Sequence, residues 1–239
     1  MILEVKNLSK RYASSKLALD DVNLSLDGGH IVGLFGPNGS GKTTFIKILS
    51  DLLMSYNGEV LIDNKKVGVE TKKLVSYLPD VNYLEGYWTI DECINVFKRF
   101  YDDFDENKCR LLLSKFPLNP KDKIKTLSKG NKEKVQLILV LSRNAKVFLF
   151  DEPIAGVDPA SREIIFDLIL EYVPKDALVI ITTHLIRDIE NFVDHVIFIN
   201  EGKIFYNESK EDMEREFGDK TINDIFIELF KARMMGGIL

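Results

Sequence analysis

Eight consecutive residues, Gly36-Pro37-Asn38-Gly39-Ser40-Gly41-Lys42-Thr43, carry the spacing Gly-x4-Gly-Lys-Thr, a pattern suited to gripping a polyphosphate. Glycine tolerates left-handed and closely approached backbone, so successive N–H groups can converge on phosphate oxygens. A helix starting at the end of the loop would add its positive terminus to the attraction. In such a loop Lys42 reaches the β- and γ-phosphates, and the Thr43 hydroxyl is the kind of oxygen ligand Mg²⁺ prefers. Thr44 is placed to touch phosphate as well.

A second group, Asp151-Glu152, follows the apolar run Val147-Phe148-Leu149-Phe150. Open α/β sheets place their ligands at the carboxyl ends of strands, so these carboxylates are expected beside the phosphates. Asp151 could hold Mg²⁺ through water, and Glu152 could orient and deprotonate an attacking water. An acidic turn after a strand is ambiguous by itself; the phosphate loop upstream gives it a use. His184 closes another apolar run, Leu178 to Thr183, where an imidazole could sense or stabilise a γ-phosphate or serve the structure alone. His30 and His195 lack a comparable setting.

Strands and helices must carry these groups to one place. Ile31 to Phe35 reads as a buried strand entering the loop, and Phe45, Ile48, Leu49 and Leu52 give Thr44 to Leu53 helical spacing. Residues 2–7, 17–26, 58–63 and 74–79 have the character of further short strands. Val147–Phe150 and Leu178–Ile181 read as buried parallel strands around a helix that Asp158-Pro159 would cap and start. Residues 195–200 and 203–206 flank Glu201-Gly202 as a hairpin, with charged amphipathic helix beyond. Thr89-Ile90-Asp91-Glu92 predicts a capping box, after which Val96, Phe97, Phe100, Tyr101 and Phe104 form a helical stripe expected to be core. The expected class is α/β, with a core from 1–79 and 143–206, a helical subdomain at 80–142 and a C-terminal helical extension at 207–239.

Composition bounds the partners. The 239 residues are 45% hydrophobic, enough for a substantial core, and the net charge of −5 argues against a dedicated nucleic-acid binder. Cys93 and Cys109 have neither metal nor disulfide-framework spacing. The N-terminus meets Glu4 before any signal-like stretch, and no segment approaches the ~20 apolar residues a bilayer requires.

In their order, Gly36 to Thr44, Leu127-Ser128-Lys129-Gly130-Asn131, Val147 to Pro153, Ala155-Gly156-Val157-Asp158 and His184 resemble the motifs of the ATP-binding-cassette (ABC) ATPases, over approximately residues 1–210. The resemblance implies a P-loop NTPase core with a mixed sheet, an antiparallel β subdomain and an inserted helical subdomain. It also implies two such domains packed head to tail. Each ATP would lie between the phosphate loop of one and Ser128, Lys129, Gly130 and Asn131 of the other, near Asp158. Tyr12 matches the family's adenine-stacking aromatic, and can equally be read as a strand-surface tyrosine. The signature loop departs from Leu-Ser-Gly-Gly-Gln at Lys129 and Asn131; Lys129 could meet a γ-phosphate or point to solvent. Asp80 stands where the family has glutamine, and could join the Mg²⁺ site with Thr43 and Asp151.

The expectation is an ATP-hydrolysing subunit, peripheral on the inner face of a cell membrane, powering a separate permease, with a lean toward export. Glu152, His184 and Lys42 are its candidate catalytic residues. A soluble cassette ATPase acting on ribosomes or DNA is the alternative. A GTPase or kinase is disfavoured because no Asn-Lys-x-Asp guanine-reading element is present and neither class explains the signature-like loop before a strand ending in Asp-Glu.

Overall fold

The computed structural model describes residues 1–12, 17–154, 157 and 159–234. In chain order the elements are β1 (Leu3–Arg11), β2 (Leu17–Leu26), β3 (Ile31–Phe35), α1 (Lys42–Leu49), β4 (Asn57–Ile62), β5 (Lys65–Lys66), α2 (Val69–Lys72) and β6 (Val75–Leu78). They continue with α3 (Ile90–Phe100), α4 (Glu106–Ser114), α5 (Lys129–Leu141), β7 (Val147–Asp151), α6 (Pro159–Tyr172), β8 (Leu178–Thr183) and α7 (Ile186–Ile189). The chain closes with β9 (His195–Asn200), β10 (Lys203–Ser209), α8 (Lys210–Phe217) and α9 (Ile222–Met234).

Alternation along the central strands builds three layers. Val147 and Leu149 of β7, and Leu178 and Ile180 of β8, enter one buried cluster, while Phe148, Phe150, Val179 and Ile181 enter another. Strands apolar on both faces belong in the middle of a sheet, covered on each side. The six strands run β10-β9-β3-β8-β7-β6, parallel except for the antiparallel β10. One face packs on α1 and on a second, antiparallel sheet ordered β2-β1-β4-β5; the other packs on α5 and α6. The fold is therefore α/β with a mixed sheet, an antiparallel sheet and helices, as expected.

Between β6 and β7 the chain is helical. Thr89 caps α3 with the reciprocal box read from the sequence: its hydroxyl accepts from the Glu92 amide at 3.2 Å, and Glu92 accepts from the Thr89 amide at 2.6 Å. Cys93 and Cys109 lie buried in α3 and α4, where burial pushes both thiols up to about 11, so they serve as core residues. Arg143, nearly inaccessible, pairs with Asp103 at 3.0 Å and donates to the carbonyls of Lys73 and Val75, fastening the helical segment to β6.

Two expectations need correction. The helix after the phosphate loop begins at Lys42 and ends at Leu49, because the Ser50 hydroxyl donates to the Ile46 carbonyl and Asp51 turns left-handed at φ 54°. Leu52 is consequently exposed. Phe100, expected in the core stripe, is 73% exposed; Phe97, Tyr101 and Phe104 form the ring cluster instead. Strands β1 and β10 also outrun their predicted ends, by four and three residues, since pairing with β2 and β9 carries them on. Asp158, expected as the cap of α6, lies outside the described residues with Ala155 and Gly156.

Candidate active site

The loop between β3 and α1 is shaped by its glycines. Gly39 and Gly41 have φ of 78° and 114°, and a Cβ on Gly41 would stand 2.5 Å from the Ala18 carbonyl oxygen. A Cβ on Gly36 would come within 2.2 Å of the Ile199 carbonyl. Left-handed backbone favours glycine at Gly39, close packing demands it at Gly36, and both apply at Gly41. The loop closes on itself through the Ser40 amide, which donates to Pro37, and is buttressed by the Gly202 amide, which donates to the Ser40 carbonyl at 2.8 Å. The first amides of α1 have no acceptor within the helix, so they point their dipoles toward the loop's mouth.

Lys42 is buried, its ammonium donating to the Gly36 and Pro37 carbonyls at 2.7 and 3.2 Å. Its pKa is lowered by burial, opposed by the charges of Glu152 and Asp151. Glu152 lies 4.0 Å away. Thr43 donates to Asp151 Oδ1 at 3.2 Å, and Thr182 donates to the same oxygen at 2.6 Å. Asp151 is fully buried, and that burial raises its pKa despite the two hydroxyls. Its other oxygen, Oδ2, is buried without a hydrogen-bond partner.

Glu152 follows the strand end in a left-handed turn at φ 51°, with its amide held by the Thr182 carbonyl at 3.0 Å. This turn sends the Asp151 and Glu152 side chains to different partners. His184, just past β8, places Nδ1 at 3.0 and 3.1 Å from the Glu152 carboxylate oxygens. A carboxylate accepts, so Nδ1 carries the proton in this pair.

A cavity of about 450 Å³ opens over the loop, lined by Tyr12, Asn38 to Thr44, Asp80 and Glu152. Tyr12 touches the Thr44 hydroxyl at 3.3 Å across it. Ser128, Gly130 and Asn131 do not line this cavity. Ser128 caps α5 by accepting from the Asn131 amide at 3.3 Å, and a Cβ added to Gly130 would meet open space. Lys129 sits 3.8 Å from Glu133, beside a smaller cleft of about 110 Å³ that Asp80 and Glu152 also line.

Sequence reasoning missed Thr182, whose hydroxyl orients Asp151, and Gly202, which props the loop. The polar pair Thr182-Thr183 at the end of an otherwise apolar strand was the available signal for the first. No local signal existed for the second, which is joined to Ser40 only by the fold.

A glycine-rich loop, a buried lysine and two carboxylates converging at the carboxyl edge of a parallel sheet define a nucleoside triphosphatase site. The ABC transporter family model matches residues 19–155, more than half of the chain, and the protein belongs to that family as an ATP-hydrolysing ATP-binding subunit. It is 28% identical to the lipopolysaccharide export system ATP-binding protein LptB of Haemophilus influenzae, over 96% of this chain and 99% of that one. It is 27% identical to the phosphonates import ATP-binding protein PhnC of Treponema denticola, over 93% and 95% of the two chains. A solved structure described as the ATP binding subunit of an ABC transporter superposes with a TM-score of 0.86 at 27% identity, covering 96% of this chain and all of the other.

Proposed function

We propose that this subunit dimerises around ATP and drives a separate transmembrane permease while standing at the inner membrane face. The observation that carries the reading is a one-sided cavity. The phosphate loop, Asp80 and Glu152 line it, whereas Ser128, Gly130 and Asn131 lie outside it, with Ser128 and Gly130 exposed and a Cβ on Gly130 meeting open space. A neighbouring cassette would bring those groups, with Lys129 and Asp158, against the γ-phosphate. Lys42 would neutralise charge on the β- and γ-phosphates. Glu152 would orient the attacking water and take its proton, and His184 would steady the γ-phosphate.

The residues present fit Mg²⁺. Thr43 and Asp151 offer hard oxygens side by side, and the unsatisfied Oδ2 is a buried acceptor awaiting a partner. The ion, held by Thr43 and Asp151 with Asp80 at the cavity wall, would supply charge neutralisation at the β- and γ-oxygens.

For the division of labour, 1–79 with 143–206 would bind nucleotide, 80–142 would present the signature loop and the permease surface, and 207–239 would form an extension. Val81, Tyr83, Tyr87 and Trp88 expose apolar surface on the loop leading into α3, a match for a membrane partner. No helix among the described residues is long and apolar enough to cross a membrane. The family resemblance, through the single cassette and Asp80, leans toward export, while relatives named for import and for export match about equally.

Glu152→Gln tests the centre of this reading. The variant should bind ATP, lose turnover by about 10²-fold or more, and accumulate as an ATP-dependent dimer in size-exclusion chromatography with light scattering. Retained turnover would remove Glu152 as the base.

A further inference from the structure

Lys10 is an ammonium buried in the wrong place for a surface strand. Its side chain is only 7% exposed, and among the described residues it has no carboxylate partner. Nζ donates instead to two consecutive carbonyls, Met54 at 2.9 Å and Ser55 at 2.7 Å. Those carbonyls lie on the connection between α1 and β4, where Ser55 is itself left-handed at φ 62°. The same ammonium stands over the ring of Tyr12, 5.6 Å from its centroid. Tyr12 is fixed at its far end by the Thr44 hydroxyl, on the first turn of α1.

Tyr12 follows the end of β1, in the antiparallel sheet, whereas the phosphate loop leaves β3 of the main sheet, and α1 shares one buried cluster with both. A nucleotide whose phosphates sit on the loop and whose base sits on Tyr12 must bridge these two layers. The distance between its two anchor points is therefore set by what holds the Tyr12 ring in place. Lys10 braces that ring: its ammonium is anchored at one end on the connection between α1 and β4 and stands over the ring at the other. Lys10 does not line the cavity, so it can act on a ligand only through Tyr12.

We propose that Lys10 is a positioning residue for the nucleotide base, a brace that holds the Tyr12 ring at the spacing from the phosphate loop that one nucleoside triphosphate spans. The proposal rests on Tyr12 being the base platform. The cation stands over the ring and anchors it to the connection between α1 and β4, while the Thr44 hydroxyl meets the ring's far end on the helix that grips phosphate. Its loss would loosen base binding and leave phosphate binding alone, a split that a general packing defect would not produce.

The test compares Lys10→Met, Lys10→Gln, Tyr12→Ala and the Lys10→Met/Tyr12→Ala double variant in the full chain, reading steady-state ATPase kinetics and inhibition by inorganic tripolyphosphate, which has no base. Lys10→Met and Lys10→Gln should raise KM for ATP about fivefold, on the scale of one cation–ring contact, with kcat at saturation and the tripolyphosphate inhibition constant unchanged. The double variant should be no worse than Tyr12→Ala. If Tyr12→Ala raises KM and neither Lys10 variant does, the brace is refuted while the base platform stands. If Tyr12→Ala leaves KM unchanged, the platform reading fails and takes the brace with it. A parallel loss of tripolyphosphate binding in both Lys10 variants would make Lys10 a packing residue and overturn the proposal.

Discussion

The carboxylate of Glu152 stands between the Lys42 ammonium at 4.0 Å and the His184 imidazole at 3.0 Å. Accepting a proton from water requires a carboxylate aimed at that water, and these two contacts fix where the Glu152 side chain stands. Because Nδ1 of His184 is committed to Glu152, Nε2 is the nitrogen turned to another ligand. His184→Ala should accordingly lower kcat by about 10²-fold while changing the dissociation constant for ATP little, as measured by single-turnover hydrolysis beside equilibrium binding. Asp151 differs from its neighbour in kind. Two hydroxyls and full burial fix it, and its unpaired oxygen asks for a cation rather than a proton transfer.

Single elements owe their positions to contacts of unequal legibility. The capping box at Thr89 and the hairpin at Glu201-Gly202 could be read because each is a local pattern of a few residues. So could the central strands, whose apolar runs reflect burial on both faces. The end of α1 could not, since it depends on Ser50 turning its hydroxyl back to Ile46 while Leu52 stays apolar and exposed. Phe100 misled for a related reason: helical spacing assigned it a face that Phe97, Tyr101 and Phe104 fill without it. Arg143 gave no sign at all, because its acceptors, Asp103 and the carbonyls near β6, are distant in sequence. Arg143→Ala should remove about 3 kcal/mol of stability by stranding those acceptors, visible as a lower urea midpoint at an unchanged slope.

At the scale of the molecule, the candidate site is legible as a set of residues but not as an enclosure. Glycines, lysine and carboxylates are recognisable from type and spacing, whereas the separation of Ser128 from the phosphate cavity is written in no local pattern: only the family resemblance implied it, and the structure places Ser128 outside the cavity. If two chains complete each other, ATPase activity per milligram should rise with protein concentration and level off once the pair is saturated. A dilution series under constant ATP checks this, and a flat series would mean that the second cassette is a different chain.

The hydrogen bond from Gly202 to Ser40 also bears on the order in which the protein can be made. Strand β3, which delivers the phosphate loop, has β8 on one side and β9 on the other. Its partners are synthesised well over a hundred residues later, and the loop's own prop arrives later still. A nascent chain that has emerged only through the helical segment holds the complete Gly36 to Thr43 sequence with both edges of its strand unpaired. Such long-range closure is slow to form, so competence to hold nucleotide waits until β8, β9 and Gly202 have all been made.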